Sequence, residues 1–194
     1  MNQKNGPYES SITLCKWAMR YGYDHFDMSP TAKLAGGAAI GSGFGLVGLD
    51  GAAQAGMVLC EVENLQVIDK AFVIAVCAPV STECKCGSAC CRGWRENRVW
   101  REAINFIGQM MIERLGIDLR NVRLRNLLVE KHFGKKHKFT DIGIRADVDR
   151  KTAAAHYKTI DRALTAEEYR VWVKFEERLR DRGMVGLKNP EVSS

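Results

Sequence analysis

Two groups of side chains in this 194-residue chain have types and spacings that could do chemistry. The first is Cys84-Lys85-Cys86-Gly87-Ser88-Ala89-Cys90-Cys91, with four thiols in eight residues. Thiolates this close repel one another unless a cation shares their charge, and tetrahedral zinc is the commonest such cation. Gly87 and Ser88 permit the tight turn that would bring Cys84, Cys86, Cys90 and Cys91 onto one ion. Cys90 and Cys91 are adjacent and point differently, so Cys77, His132 or His137 is an alternative fourth ligand. An iron–sulfur cluster and a loop of reduced thiols are the other readings of the same residues. No general base stands beside these cysteines, so the zinc reading is a structural one.

The second group is Arg150, Lys151, Thr152, Ala155, Lys158, Thr159 and Arg162. Cations, hydroxyls and a small residue on one helix face are what phosphates and base edges require in a major groove. Behind them Ala153, Tyr157, Ile160 and Leu164 recur at the spacing of a buried helical stripe. Ahead of them, Thr140 is expected to cap a short helix whose Ile142 and Ala146 point inward. Asp147-Val148-Asp149 then makes a turn, Val148 fills the gap between helices, and Asp149 caps the second helix. The stretch Phe139 to Leu164 therefore reads as a helix-turn-helix that binds double-stranded DNA. The basic loop Lys135-Lys136-His137-Lys138 precedes it, placed for a phosphate contact that includes Lys138. A charged helix facing only solvent is the plainer alternative.

The remaining elements position these two groups. Residues 8–29 read as a helix, with Ser10 or Ser11 as cap and Ile12, Cys15, Trp17, Ala18 and Met19 as apolar bulk. Trp17, Tyr21 and Tyr23 lack the interleaved cations of a base-stacking platform, so packing is the expected role. Residues 30–56 carry eight glycines and read as a loop, and the GxGxxG at Gly43–Gly48 lacks the preceding strand that a dinucleotide site needs. Residues 57–78 read as one helix or two joined, ended by Pro79. A helix is expected over 92–117, with Arg92, Arg95, Arg98 and Arg101 near its start, set either for a phosphate or for Glu96 and Glu102. Asn121 to Phe133 is the next helix, ended by Gly134, and Thr165-Ala-Glu-Glu168 is a capping box expected to open a separate last helix through Arg182.

Charge is divided unevenly. Residues 1–91 hold 6 Lys/Arg against 8 Asp/Glu, and residues 92–182 hold 22 against 14, so the basic half contains the helix-turn-helix. Neutralising phosphates needs such an excess. No apolar run approaches the roughly 18 residues of a membrane span. The start of the chain lacks the pattern of a secretory signal, so the seven cysteines are expected to be reduced in a cytoplasmic setting. Paired carboxylates or an HxE beside the cysteines are missing, and His25, His132, His137 and His156 are remote from them in sequence, which argues against an enzyme.

The expected fold is mainly α. A helical unit spans 1–78 with a Gly-rich loop at 35–56. A Cys-rich, zinc-binding loop and a helix span 79–118, a helix-turn-helix DNA-binding domain spans 119–183, and 184–194 form a tail. A small basic chain with this order resembles the bacteriophage late-gene antitermination proteins of the Q type, whose helix-turn-helix is similar to that of sigma factors. Cys84 to Leu164 and the helix to Arg182 carry the resemblance. It implies a protein that binds DNA near a late promoter, engages RNA polymerase in the bacterial host cell and makes it read through terminators. DNA contact would then fall on Arg150, Lys151, Thr152, Ala155, Lys158 and Thr159, and metal binding on the clustered cysteines. The compact CxCxxxCC departs from two separated CxxC pairs. A repressor or activator that leaves polymerase unmodified is the alternative function.

Overall fold

The computed structural model describes residues 11–26, 49–84, 86–89, 92–115 and 119–185, which are mainly helical with one two-stranded antiparallel ribbon. In order these are α1 (Ser11–Phe26), α2 (Leu49–Glu63), α3 (Val67–Cys77), β1 (Ser81–Glu83), β2 (Trp94–Glu96), α4 (Arg98–Leu115), α5 (Val122–His132), α6 (Phe139–Ala146) and α7 (Arg150–Asp181). The chain divides into two compact units: one within Met1–Asn64 and Trp172–Ser194, the other Leu65–Val171. The division differs from the sequence expectation of successive domains, because the end of α7 belongs with the start of the chain. No described helix is long and apolar enough to cross a membrane.

In the first unit α1 buries Leu14, Cys15, Trp17, Ala18 and Met19, and α2, which packs on it, buries Ala55, Val58 and Val62. Both sets follow helical spacing. The last turns of α7 bury Trp172, Phe175 and Leu179. Glu61 is also buried, and α2 carries it there because Arg178 donates to it at 2.5 Å and Arg182 lies at 3.3 Å. A buried carboxylate without such partners would be strongly destabilising.

Several expectations need correction. The Gly-rich stretch is not a loop to its end: Leu49 to Gly56 form the first half of α2, where Ala55 enters the core and Gly56 needs no special backbone angle. Its earlier part, with Gly43–Gly48, lies outside the described residues, as does Ser10. Residues 57–78, read as one helix or two, belong to two helices, interrupted at Asn64–Gln66, and need no correction there. The expected helix from Arg92 is instead the strand Trp94–Glu96 and a helix starting at Arg98, because Asn97 acts as a stop. Its Oδ1 accepts from Val99 N at 3.0 Å, and its Nδ2 donates to the Pro79 carbonyl at 2.8 Å. The separate last helix does not exist: α7 runs unbroken for 32 residues with no Gly or Pro inside it, and Thr165 is an exposed interior position. Thr140 is not a cap either, since Lys138 occupies that position without a side-chain bond.

The second unit is built on Phe72, Trp100, Ile104, Ile107, Met111, Leu124, Leu128, Ile142, Ile160 and Leu164, all buried. The Trp100 indole N–H donates to the Ala75 carbonyl at 3.1 Å, so α4 is keyed to α3 by a hydrogen bond as well as by area. Glu130 of α5 is only 2% exposed. Arg101, Lys135 at 3.0 Å and His137 at 2.7 Å surround its carboxylate, while Arg101 and Lys135 also hold Glu96 of the ribbon. Burial works against the charge of Glu130, but these donors outweigh it and hold its carboxyl below the ordinary range. The same two cations bring Glu96 down to about 2, its hydrogen bond with Arg101 leading.

Removing Glu130 leaves buried His137 without its carboxylate and Arg101 and Lys135 with Glu96 alone. Glu130→Ala is expected to destabilise the protein by about 3–5 kcal/mol, the scale of a broken buried pair. Urea unfolding followed by circular dichroism checks it, and a loss below about 1 kcal/mol would show the cluster to be solvated.

Candidate nucleic-acid interface

The residues picked for DNA contact lie at the junction of α6 and α7. Asp147 ends α6 in the left-handed conformation (φ 54, ψ 52), a geometry that short polar side chains tolerate. The amides of Asp147 and Val148 both donate to the Gly143 carbonyl, the latter at 3.0 Å. Asp149 caps α7 as its sequence position indicates, accepting from Lys151 N at 2.6 Å. A Cβ at Gly143 would lie 2.7 Å from the Val148 carbonyl oxygen, so glycine is what lets the turn fold back on α6. Val148 is half-buried in the turn, in line with a partial plug.

Helix α5 holds the same end of α6. Asn121 caps α5 through Oδ1, accepting from Leu124 N at 3.0 Å, while its Nδ2 donates to the Ala146 carbonyl at 2.8 Å. Arg123 donates to the Arg145 carbonyl at 3.1 Å. The terminal carbonyls of α6 thus find partners on α5. At the opposite end Lys131 donates to the His137 carbonyl at 2.9 Å, and its ammonium lies 4.9 Å from the Phe139 ring centre and 5.5 Å from that of Tyr157. Phe139 and Tyr157 meet edge to face at 5.6 Å, joining α6 to α7.

Ala153, Ile160 and Leu164 are fully buried, as their spacing requires. Tyr157 is only half-buried, because its hydroxyl serves Asp161 one turn on; burial first, and Asp161 second, push its pKa up to about 12. Arg150, Lys151, Thr152, Ala155, Lys158, Thr159 and Arg162 are all exposed. Lys136 and Lys138 are exposed just before α6, whose first amides no side chain caps. The arrangement presents cations, hydroxyls and one small side chain along the outer side of a helix fixed from behind.

Two of the four arginines expected at the next helix start are accounted for otherwise. Arg98 donates to Glu102 at 2.7 Å and Arg101 binds Glu96, which is the ion-pair reading rather than the phosphate one. Of the cysteines, Cys84 is half-buried after β1 and Cys86 is exposed; Cys90 and Cys91 lie outside the described residues. No group of three or more metal-ligating side chains occurs among the described residues. The alternative fourth ligands are placed elsewhere: Cys77 is buried on α3, His137 faces Glu130, and both ring nitrogens of His132 face carboxylates. No protein family matches this chain, and neither does a curated protein or a solved structure.

His132 is the residue of this region that the sequence concealed. Its side chain is 7% exposed, with Nδ1 2.8 Å from Asp161 and Nε2 3.3 Å from Glu168, both on α7. Neutral imidazole has one N–H, so only the imidazolium donates to both. Burial pulls the His132 pKa down, but the hydrogen bonds and charges of Glu168 and Asp161 outweigh it and raise it above 6.5. Its partners stand 29 and 36 residues away, beyond any local pattern. Gly143 did carry a signal, being a glycine inside a helix where alanine costs less.

The raised value gives a pH dependence of definite sign. The contribution of His132 is fully present below pH 6.5 and disappears as pH rises through the higher folded-state pKa. Wild type and His132→Gln, melted between pH 5.5 and 9, are expected to differ most at the acid end and converge at the alkaline end. A gap that is constant across the range would contradict the imidazolium assignment.

Proposed function

We propose that the protein binds double-stranded DNA through α6 and α7, used as a helix-turn-helix with the first turns of α7 in the major groove. The observation that carries this is the exposure of Arg150, Lys151, Thr152, Ala155, Lys158, Thr159 and Arg162 in front of a buried Ala153, Ile160 and Leu164. Lys138 and the amides at the start of α6 are suited to a backbone phosphate. The excess of cations after residue 91 supplies the counterion-release component of binding.

The further reading is transcription antitermination: DNA-bound protein engages RNA polymerase near a late promoter and carries it through terminators. It rests on the resemblance of Cys84 to Arg182 to the Q-type antitermination proteins. A structural zinc on Cys84, Cys86, Cys90 and Cys91 belongs to the same reading. The described part of that loop presents the first two thiols, and thiolate is the ligand chemistry zinc prefers.

One experiment tests both levels. Wild type and Arg150→Ala/Lys151→Ala are titrated onto promoter DNA at several salt concentrations, with terminator read-through by RNA polymerase measured in parallel. Wild type is expected to bind a defined site, and the double variant to bind about tenfold or more weaker with a shallower salt slope and to lose read-through. Site-specific binding without any effect on polymerase leaves a repressor or activator. Equal binding by both proteins excludes this helix as the DNA contact.

A further inference from the structure

The β1–β2 ribbon presents chemistry that duplex binding leaves unused. Five of its six strand residues are exposed. Trp94 is 66% exposed, whereas Trp17, Trp100 and Trp172 are buried. An indole left in water is a large apolar surface without a partner. Directly across the ribbon from Trp94 stands Glu83. Cys84 N donates to the Gly93 carbonyl at 2.8 Å and Asn97 N to the Val80 carbonyl at 3.0 Å. Hydrogen-bonded and non-hydrogen-bonded pairs alternate, so Glu83 and Trp94 form a non-hydrogen-bonded pair. Such pairs bring two side chains of one face closest, with Cα atoms about 4.5 Å apart.

The platform is held firmly at its base. Asn97 bonds Pro79, and Glu96, on the same face as Trp94, is held by Arg101 and Lys135. Glu96 is therefore already satisfied, while Glu83 is exposed at the indole's side. Arg92 is exposed just before the ribbon's second strand, while Arg95, next to Trp94 in that strand, lies on the opposite face. A flat ring with a carboxylate at its edge fits a planar aromatic ligand that carries N–H donors on its own edge. Ionised carboxylates only accept hydrogen bonds. Cytosine, adenine and guanine have an exocyclic amino group that meets this need at the ring's outer edge, whereas thymine has none there and offers only its ring N3–H, flanked by two carbonyl oxygens that a carboxylate repels. Both the ring face and that amino group are free only in an unpaired base. Arg92 supplies a cation for a flanking phosphate.

We propose that the β1–β2 ribbon is a binding site for an unpaired base of single-stranded DNA, which stacks on Trp94 and donates its exocyclic amino group to Glu83. The site is separate from the α7 face and does not depend on the duplex reading. All four indoles contribute to the emission of the full chain, but only Trp94 is exposed, so a base stacked on the ribbon quenches the Trp94 share of it. Titration with oligo(dC), oligo(dA) and oligo(dT) is expected to quench this emission, with oligo(dC) and oligo(dA) binding about tenfold tighter than oligo(dT). Trp94→Ala is expected to lose the quenching and about tenfold in affinity measured by anisotropy, and Glu83→Ala to bind all three oligomers alike. Arg150→Ala/Lys151→Ala is expected to retain the preference, so failure of duplex binding and failure of this site are read separately. Equal affinity for the three oligomers, or unchanged binding by Trp94→Ala, overturns the proposal. Tighter binding of oligo(rC) than oligo(dC) reassigns the site to RNA and overturns it as stated, as does quenching by a trimethyl-lysine peptide with none by any oligomer.

Discussion

A carboxylate inside a protein costs several kcal/mol unless donors surround it, and Glu130 makes that cost an organising constraint of the second unit. Its donors come from separate pieces of chain: Arg101 from the first turn of α4, and Lys135 and His137 from the segment after α5. Because Arg101 and Lys135 also hold Glu96, the end of β2 is drawn into the same cluster. The rings complete it, with the Lys135 ammonium 5.5 Å and the Arg101 guanidinium 5.7 Å from the centre of buried Trp100. Gly134, at φ 90, makes the tight turn that returns Lys135 toward Glu130, and its φ is one that side chains resist. The start of the basic loop is thereby anchored, while Lys136 and Lys138 are left outside.

The same economy operates where α5, α6 and α7 meet. Helix α6 has eight residues, too few to be stable alone, and both its ends borrow from neighbours. Asn121 caps two helices with one amide group, and the Gly143 carbonyl accepts two amides of the turn. Lys131 and His132, consecutive on α5, hold α7 in different ways: one by its charge over Tyr157, the other by hydrogen bonds to Asp161 and Glu168. Most of the polar groups on the inner side of α7 are thus spent on support. The outer side keeps its cations and hydroxyls, which is why it, rather than α4, is the surface suited to a polyanion. On α4 the corresponding arginines, Arg98 and Arg101, are consumed by Glu102 and Glu96.

The two nucleic-acid readings differ in the physics they use. A rigid helix with cations meets a duplex through phosphates and base edges in a groove, and its affinity is steeply salt-dependent. The ribbon has one aromatic face and one acceptor, suited to a base that pairing and stacking have released. They share a scaffold, since both belong to the Leu65–Val171 unit.

What the sequence determined by itself is everything that depends on neighbours within a few turns. Helical spacing identified Ala153, Ile160 and Leu164 as core and their opposite face as exposed, and Asp149 was legible as a cap because a cap bonds its own helix. The mainly helical class followed from the same periodicities. Tertiary structure decided the rest, because the deciding contacts are remote in sequence. Trp94-Arg95-Glu96 is a strand because Ser81–Glu83 stands across from it, although the segment alone reads as the start of a helix. Thr165 to Glu168 resembles a helix start, yet no break precedes it, and Glu167 and Glu168 instead serve Arg170 and His132. The Cys-rich loop divides the same way: its composition shows four thiols close in sequence, but their convergence on one point is a matter of backbone path, which composition does not carry.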